Sequence, residues 1–247
     1  MKISCVIITR NEEYNIEKCL KGASWCDEVI VVDSGSTDKT LQLAAEYGAR
    51  VVSNEFEGFG KQKQFACSLA THEWILSIDA DEVVTKELRA EIQKIIRHVD
   101  VPFSAYRIPR RFFFLGRKFT YGTNSVDYPV RLFLHERGAF STHVVHERVV
   151  VDGTIGTLKN ELLHFSYVSI EQYLNKFNNY TTLAAEQQTA RGKNRSVVIG
   201  ALRIPFEFFR HYIFKLHVLN GVEGLIWSVL SSFYPFVKIA KANKMRR

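Results

Sequence analysis

The sequence predicts an α/β fold with a mostly parallel central sheet, followed by a C-terminal amphipathic helical region. Three observations predict it. Apolar, β-branched runs alternate with segments of helical periodicity through the first hundred residues. Two of those runs end abruptly in acids, at Asp33 and at Asp79-Ala80-Asp81-Glu82. Beyond Arg191 the composition turns basic and aromatic.

Taken in order, Ile3–Thr9 reads as a buried strand, interrupted by Arg10-Asn11-Glu12-Glu13. Ile16, Cys19, Leu20 and Ala23 then recur at helical spacing. Glu28–Asp33 is a second strand, and Ser34-Gly35-Ser36-Thr37-Asp38 a turn in which Ser36 or Thr37 caps a helix over residues 39–47. A third strand at 49–52, the loop Gly58-Phe59-Gly60, a helix over 61–70 and a strand over 74–78 complete a β-α-β-α-β-α-β series with connections long enough for parallel crossovers. Thr85 caps a helix over 86–98, residues 101–151 break into short mixed or antiparallel strands, and a helix follows over 169–191. The last segment, 196–244, reads as two amphipathic helices parted near Asn220-Gly221.

The 247 residues are 46% hydrophobic, enough for a substantial core. Cys5, Cys19, Cys26 and Cys67 form no CxxC pair, so they are read as reduced, structural thiols and not a zinc site. The formal charge of +7 is uneven: residues 191–247 hold 11 Lys/Arg against two acids, and residues 1–190 hold 22 against 24. A near-neutral body with a basic, aromatic tail points to an anionic surface as partner. The longest uncharged run, 224–237, is short of the roughly 20 residues that cross a bilayer, and it contains Pro235. Interfacial attachment through aromatics and cations is the expectation, with a helical subdomain or an oligomer contact as the alternative. The opening residues are too short for a signal peptide and lack a cleavage site, so the expected location is the cytoplasm, peripheral on the inner face of the membrane.

Acids at the carboxyl end of a buried strand face the cleft where open α/β sheets bind ligands. Asp79 and Asp81 in one pocket repel unless a proton or a divalent cation compensates, and Mg²⁺ or Mn²⁺ favours such oxygens shared with substrate phosphates. The bland alternative is that both acids cap the following turn. Asp33 either accepts hydrogen bonds from a base or ribose, or caps its own turn. No GxGxxG and no GxxxxGK[ST] occurs, which excludes a dinucleotide fingerprint and a P-loop. A dehalogenase-type phosphatase would carry its acids after the first strand, and a nucleotidyltransferase would open with a Gly-rich loop. A nucleic-acid-binding protein would leave the ordered acids unexplained, so no nucleic-acid partner is expected.

Val6-Ile7-Ile8-Thr9-Arg10-Asn11-Glu12, then Val29-Ile30-Val31-Val32-Asp33-Ser34-Gly35-Ser36-Thr37-Asp38-Lys39-Thr40, then Asp79-Ala80-Asp81-Glu82, resemble the inverting family 2 glycosyltransferases of GT-A fold over roughly residues 1–100. Tyr128-Pro129-Val130-Arg131-Leu132-Phe133, Val145-His146-Glu147 and the tail are similar to the lipopolysaccharide core β-1,4-glucosyltransferase subgroup. The resemblance implies a UDP-sugar donor whose nucleoside part is lined by Thr9, Arg10, Glu12 and Asp33. Asp79 then faces the ribose or metal side, and Asp81 binds the metal bridging the diphosphate. Lys61 and Lys63 lie near the nucleotide or on a solvated helix face. His164 is a metal ligand or a core histidine, and Lys176 reaches the diphosphate. Arg131 orients an acceptor phosphate or carboxylate. The family's downstream Asp pair is missing, so the general base falls to Glu147, with Glu136 and Asp127 as rivals. The expected organisation is a transferase domain over 1–190, with a nucleotide half to about 100 and an acceptor half beyond it, and a membrane-associating region over 191–247. Glucose transfer to a lipid-linked saccharide, the heptose inner core of lipopolysaccharide, is the expected reaction.

Overall fold

The computed structural model describes residues 1–97, 102–141, 148–193 and 195–246. The first part of the chain forms β1 (Ile3–Thr9), α1 (Ile16–Ala23), β2 (Glu28–Asp33), α2 (Thr40–Glu46), β3 (Arg50–Ser53), α3 (Phe59–Ser68), β4 (Trp74–Asp79), β5 (Glu82–Val84) and α4 (Lys86–Arg97). Short strands follow: β6 (Ala105–Arg107), β7 (Arg110–Phe114), β8 (Arg117–Lys118), β9 (Val126–Asp127), β10 (Val130–Leu134), β11 (Gly138–Phe140), β12 (Val149–Val151), β13 (Ile155–Thr157) and β14 (Leu162–Tyr167). The chain ends in α5 (Ile170–Ala190), α6 (Val197–Phe209), α7 (Gly221–Ser232) and α8 (Tyr234–Met245).

Two compact units result: Met1–Arg111 with Asp127–Phe165, and Phe112–Val126 with Ser166–Arg247. The division expected at residue 190 differs from this one, because α5 groups with the C-terminal helices and residues 112–126 join them.

In the first unit a seven-stranded sheet runs β13-β6-β10-β4-β1-β2-β3. β1 pairs parallel with β2 and β4, and β2 parallel with β3, while β10 enters antiparallel between β4 and β6. Period-2 alternation divides the side chains between the two faces. Ile3, Cys5 and Ile7 meet α1 and α4 through Leu20, Leu88 and Ile92. Val6, Ile30, Val32 and Ile75 meet α3 through Ala66 and Cys67. Both faces are covered, which is why these strands read as nearly continuous apolar runs. Thr85 Oγ1 accepts the Leu88 N–H at 3.1 Å, as its capping position predicts. The expected cap of α2 is different. Asp38 Oδ1 accepts the Thr40 N–H at 3.0 Å, and Ser36 turns back to Asp33.

The second unit is helical. Its aromatic core is Phe114, Phe119 and Tyr173, with Trp227 edge-on to Phe114 at 5.2 Å between ring centroids. Lys241 on α8 is part of the packing: its Nζ donates to Asn178 O at 2.7 Å and to Thr182 Oγ1 at 2.8 Å on α5. The tail holds three α-helices where two were expected. The break at Asn220-Gly221 is present, and a second lies at Phe233, because Pro235 lacks an N–H and fits only the first turn of α8. A π turn (Arg210–Phe214) and a 3₁₀ turn (His217–Asn220) join α6 to α7. The four cysteines are free thiols.

One glycine positions the site. A Cβ on Gly22 of α1 would lie 3.0 Å from Val84 N and 3.1 Å from Val84 O, so glycine lets the helix rest on the backbone of β5. Gly22→Val is expected to cost about 1–3 kcal/mol by overpacking, read as a lower melting temperature. An unchanged melting temperature would show that β5 shifts under α1 without cost.

Candidate active site

Because β1, β2 and β4 are parallel, their carboxyl ends share one edge of the sheet, the ligand side of open α/β folds. The register sets Thr9 beside Asp33 and Ile8 beside Asp79. The loops leaving β1 and β2 are laced together. Asn11 N donates to Ser36 Oγ at 2.8 Å, Thr37 N to Asn11 Oδ1 at 2.8 Å, and Glu12 N to Thr40 Oγ1 at 2.9 Å. Asn11 takes a positive φ of 54° to do so. Asp33 is buried and accepts the Gly35 and Ser36 N–H groups at 2.8 and 2.9 Å and the Ser36 hydroxyl at 2.5 Å, so its carboxylate organises its own turn. Thr9 Oγ1 is buried with no hydrogen-bond partner among the described residues, and Arg10 is exposed. Glu12 accepts the Asn15 side-chain amide at 2.8 Å.

Asp79 ends β4 inside a cluster of charges. Lys63 Nζ lies 3.0 Å from Asp79 Oδ1, Arg131 Nη2 lies 2.6 Å from Oδ2, and Arg110 Nη1 stands 3.9 Å away. Burial pushes the Asp79 carboxyl up, but Arg131, Lys63 and Arg110 outweigh it and hold the group well below the usual carboxylate range. Glu82, fully buried, bonds Arg131 Nη2 at 2.5 Å and Arg110 Nη1 at 2.8 Å, and accepts the Asp79 N–H at 3.0 Å. Lys63 is therefore not on a solvated face, whereas Lys61 is exposed and pairs with Glu57 at 2.6 Å. Arg131, expected to hold an acceptor, is 4% exposed; its Nη2 is shared by Asp79 and Glu82, while its Nε is buried without a hydrogen-bond partner among the described residues. Sequence reasoning missed Glu82 as the organiser of the cluster and Arg110 altogether. Glu82 was visible as the last acid of the run, but nothing in a linear sequence couples it to Arg110.

Asp81 points elsewhere. β14 pairs antiparallel with β5, setting His164 opposite Glu82, and Phe165 N donates to Asp81 O at 2.8 Å. That ladder brings His164 Nε2 to 3.5 Å from Asp81 Oδ1. Two ligand atoms bonded at about 2.1 Å to one octahedral ion stand about 3 Å apart, so this pair fits two corners of a divalent metal shell. Among the described residues no group of three or more His, Cys, Asp or Glu is placed to hold a metal ion. The fit is thus a two-ligand corner of the kind Mg²⁺ or Mn²⁺ completes with water and substrate phosphate.

Beside Asp79 opens a cleft of about 550 Å³. Among the described residues, Lys63, Arg107, Arg110, Arg131 and Arg148 line it against Asp79 and Asp127, so that lining suits an anionic ligand. Asp127 is held by both arms of Arg110, at 2.9 and 2.6 Å. Burial raises its pKa, but Arg110 more than reverses this, which makes Asp127 a weaker base. Glu136 is exposed beyond β10, where His135 N bonds Glu73 O at the opening of β4. Five residue steps of strand, about 17 Å, separate that end from Asp79. Lys176 belongs to the helical unit, where its Nζ donates to Ser166 O at 3.2 Å and lies over the Tyr167 ring. Glu147 lies outside the described residues.

Comparisons with known proteins show the family to which the chain belongs. The Glycosyl transferase family 2 model matches residues 4–148. An uncharacterized glycosyltransferase of Rickettsia typhi is 31% identical over 99% of this chain and 87% of its own length. The lipopolysaccharide core biosynthesis glycosyltransferase LpsC of Rhizobium meliloti is 31% identical over 98% of this chain and 92% of its own length. Among solved structures, glucosyl-3-phosphoglycerate synthase of Mycobacterium tuberculosis, crystallised with Mn²⁺, UDP and glucosyl-3-phosphoglycerate, is 28% identical with a TM-score of 0.39 over 44% of each chain. A β-α-β sheet carrying its acids at the ends of β2 and β4, matched by the family over most of the first unit, makes this chain a glycosyltransferase of family 2, with the GT-A fold.

Proposed function

We propose that the protein is an inverting hexosyltransferase that moves glucose from UDP-glucose to a lipid-linked saccharide, the heptose inner core of lipopolysaccharide, at the cytoplasmic face of the membrane. The observation that carries the donor half is the Asp81–His164 corner beside the clamped Asp79, at the carboxyl edge of the parallel strands. The relation to LpsC along almost the whole chain supports the choice of acceptor.

Asp81 and His164 would hold the divalent metal, Mg²⁺ or Mn²⁺, which when bound offsets the charge growing on the departing diphosphate. The interlaced loops after β1 and β2 receive the nucleoside, with the unpartnered Thr9 hydroxyl and the backbone around Asp33 as fixed polar contacts. The cationic cleft receives the acceptor. Arg107 and Arg148 are its exposed cations, so they are the first to meet an acceptor phosphate, ahead of the buried Arg131 whose Nη2 is shared by Asp79 and Glu82.

In transfer, the acceptor hydroxyl oxygen bonds to the anomeric carbon from the face opposite the diphosphate. The bond from that carbon to the phosphate oxygen breaks with its electron pair, and the hydroxyl proton passes to a carboxylate. Glu147 is assigned that role. It directly precedes Arg148, which lines the cleft, whereas Asp127 is locked to Arg110 and Glu136 stands at the wrong end of β10.

Asp81→Ala is expected to abolish the thermal stabilisation that UDP with Mn²⁺ confers, and His164→Ala to weaken UDP affinity at least about tenfold, a change of ~1.4 kcal/mol. Full metal-dependent stabilisation of Asp81→Ala would remove the metal assignment. Glu147→Gln should keep UDP binding and lose transfer by at least ~100-fold, the lower range for a general base; unimpaired turnover excludes it. Arg148→Ala is expected to raise the KM for a phosphorylated heptose acceptor without changing UDP affinity, and an unchanged acceptor KM would place the acceptor elsewhere.

A further inference from the structure

Although Ile226, Trp227 and Leu230 of α7 pack on the aromatic core of the helical unit, α6 and α7 turn much of their remaining apolar surface outward. The buried positions of α6 and α7 are small or polar: Gly200 and Glu207 on α6, and Gly224, Ser228 and Ser232 on α7. His211, His217 and Asn220 are buried in the turns between these helices. Large apolar side chains point outward instead. Ile199, Leu202, Phe206, Phe209 and Ile213 recur at steps of three and four along one exposed face, with Leu202 73% exposed. Val222, Leu225 and Val229 make a similar stripe on α7. Phe214, at 77% exposure, with Leu216, Val218 and Leu219, continues the apolar surface around the connecting turns. A helix solvated by water has the opposite polarity, and so large a continuous apolar surface is foreign to a protein surface facing only water.

The small and polar interior is held by close packing and an ion-pair cluster, with His211 Nδ1 and His217 Nε2 buried and without a hydrogen-bond partner among the described residues. Gly200 admits α8, since a Cβ there would sit 3.2 Å from Ile239 Cδ1. A Cβ on Gly224 would lie 1.9 Å from His217 O, so glycine is what closes α7 onto the 3₁₀ turn. Glu207 is held by Arg203 at 2.7 Å and Arg210 at 2.5 Å. Close approach over small residues, with polar groups turned inward, is the packing mode of helices in lipid.

Five cations cluster at one end of the unit, while Arg210, paired with Glu207, and Lys215 lie at the turn end. Arg246 bonds Lys193 O, and Asn243 donates to Arg195 O at 2.9 Å, so the end of α8 lies against the start of α6. Arg191, Lys193, Arg195, Lys244 and Arg246 thereby gather at the end of α6 away from the Phe214 turn. Among the described residues no single helix is long and apolar enough to cross a membrane, and the two apolar helical segments bend by 70° at the turn.

We propose that the α6–α7 hairpin inserts its apolar face and Phe214–Leu219 turn into one leaflet of a phospholipid bilayer, while the basic end stays among anionic headgroups. This rests on the membrane-surface part of the function above and deepens it. The anchor is the apolar hairpin, and the cations of the tail orient it, Lys241 being taken up by packing on α5.

The test is flotation of the full chain with vesicles of phosphatidylcholine alone and of phosphatidylcholine with phosphatidylglycerol, at about 0.1 and 1 M NaCl, where the screening length falls from about 10 to 3 Å. The wild type is expected to float with both vesicles and to lose less than about threefold at high salt. Phe206→Glu with Phe214→Glu should lose at least about tenfold at both salts, with an unchanged circular dichroism spectrum and unchanged stabilisation by UDP. Binding only to anionic vesicles, abolished by salt and indifferent to the double substitution, would overturn insertion and leave surface attachment standing. Failure to float with any vesicle would overturn both. A lipid-free dimer that Phe214→Glu dissociates, with no vesicle binding, would assign the face to a second copy and likewise overturn insertion.

Discussion

The structure of the first unit depends on one turn of buried charge. Asp79 and Glu82 lie three residues apart at the end of β4 and share Arg131, while Lys63 and Arg110 close the cluster from α3 and β7. Buried ions persist only when their partners and hydrogen bonds are complete. Removing any member leaves an opposite charge stranded, so the cluster fixes which elements converge: α3, β4, β5, β7 and β10 all supply an atom to it. Its second consequence is chemical. Asp79 is neutralised inward, and Asp81, two residues on, is left facing His164. The two acids of the Asp-x-Asp motif thus have different surroundings, Asp79 within the charge cluster and Asp81 against His164.

The electrostatics of the unit follow. On one side, the interlaced loops after β1 and β2 present backbone, the Asp33 turn and a buried hydroxyl, a surface suited to a neutral nucleoside. On the other side the cleft beside Asp79 is lined mainly by arginines and lysine. A chain whose first 190 residues are close to neutral therefore concentrates positive potential in the cleft beside Asp79.

Much of this was legible in the sequence because it is local. Apolar runs, a capping Thr85 and acids after strands are short-range signals, and they located the parallel sheet and its ligand edge. Contacts across long separations were not legible. The partnership of Glu82 with Arg110 and Arg131 is invisible in a linear reading, and so is the burial of Arg131 with its Nη2 shared between two carboxylates. Turn chemistry misled at Ser36, because Asp38 reaches the Thr40 N–H first. In the tail, composition drew attention to the cations and aromatics. Which of them face outward is decided by helix packing, and that packing takes Lys241 out of play and leaves Leu202 and Phe214 uncovered.

The ladder between β5 and β14 has a bearing on how the protein is made. Residue 81 and residue 164 become neighbours only when β14 is laid on β5, yet the family match ends at residue 148. A nascent chain released as far as that point already carries every recognisable motif but lacks the strand that completes the Asp81–His164 pair. During synthesis the early strands can assemble while the pair is still open. A truncation at the end of the matched block would look like a whole enzyme by its motifs and lack half of this corner.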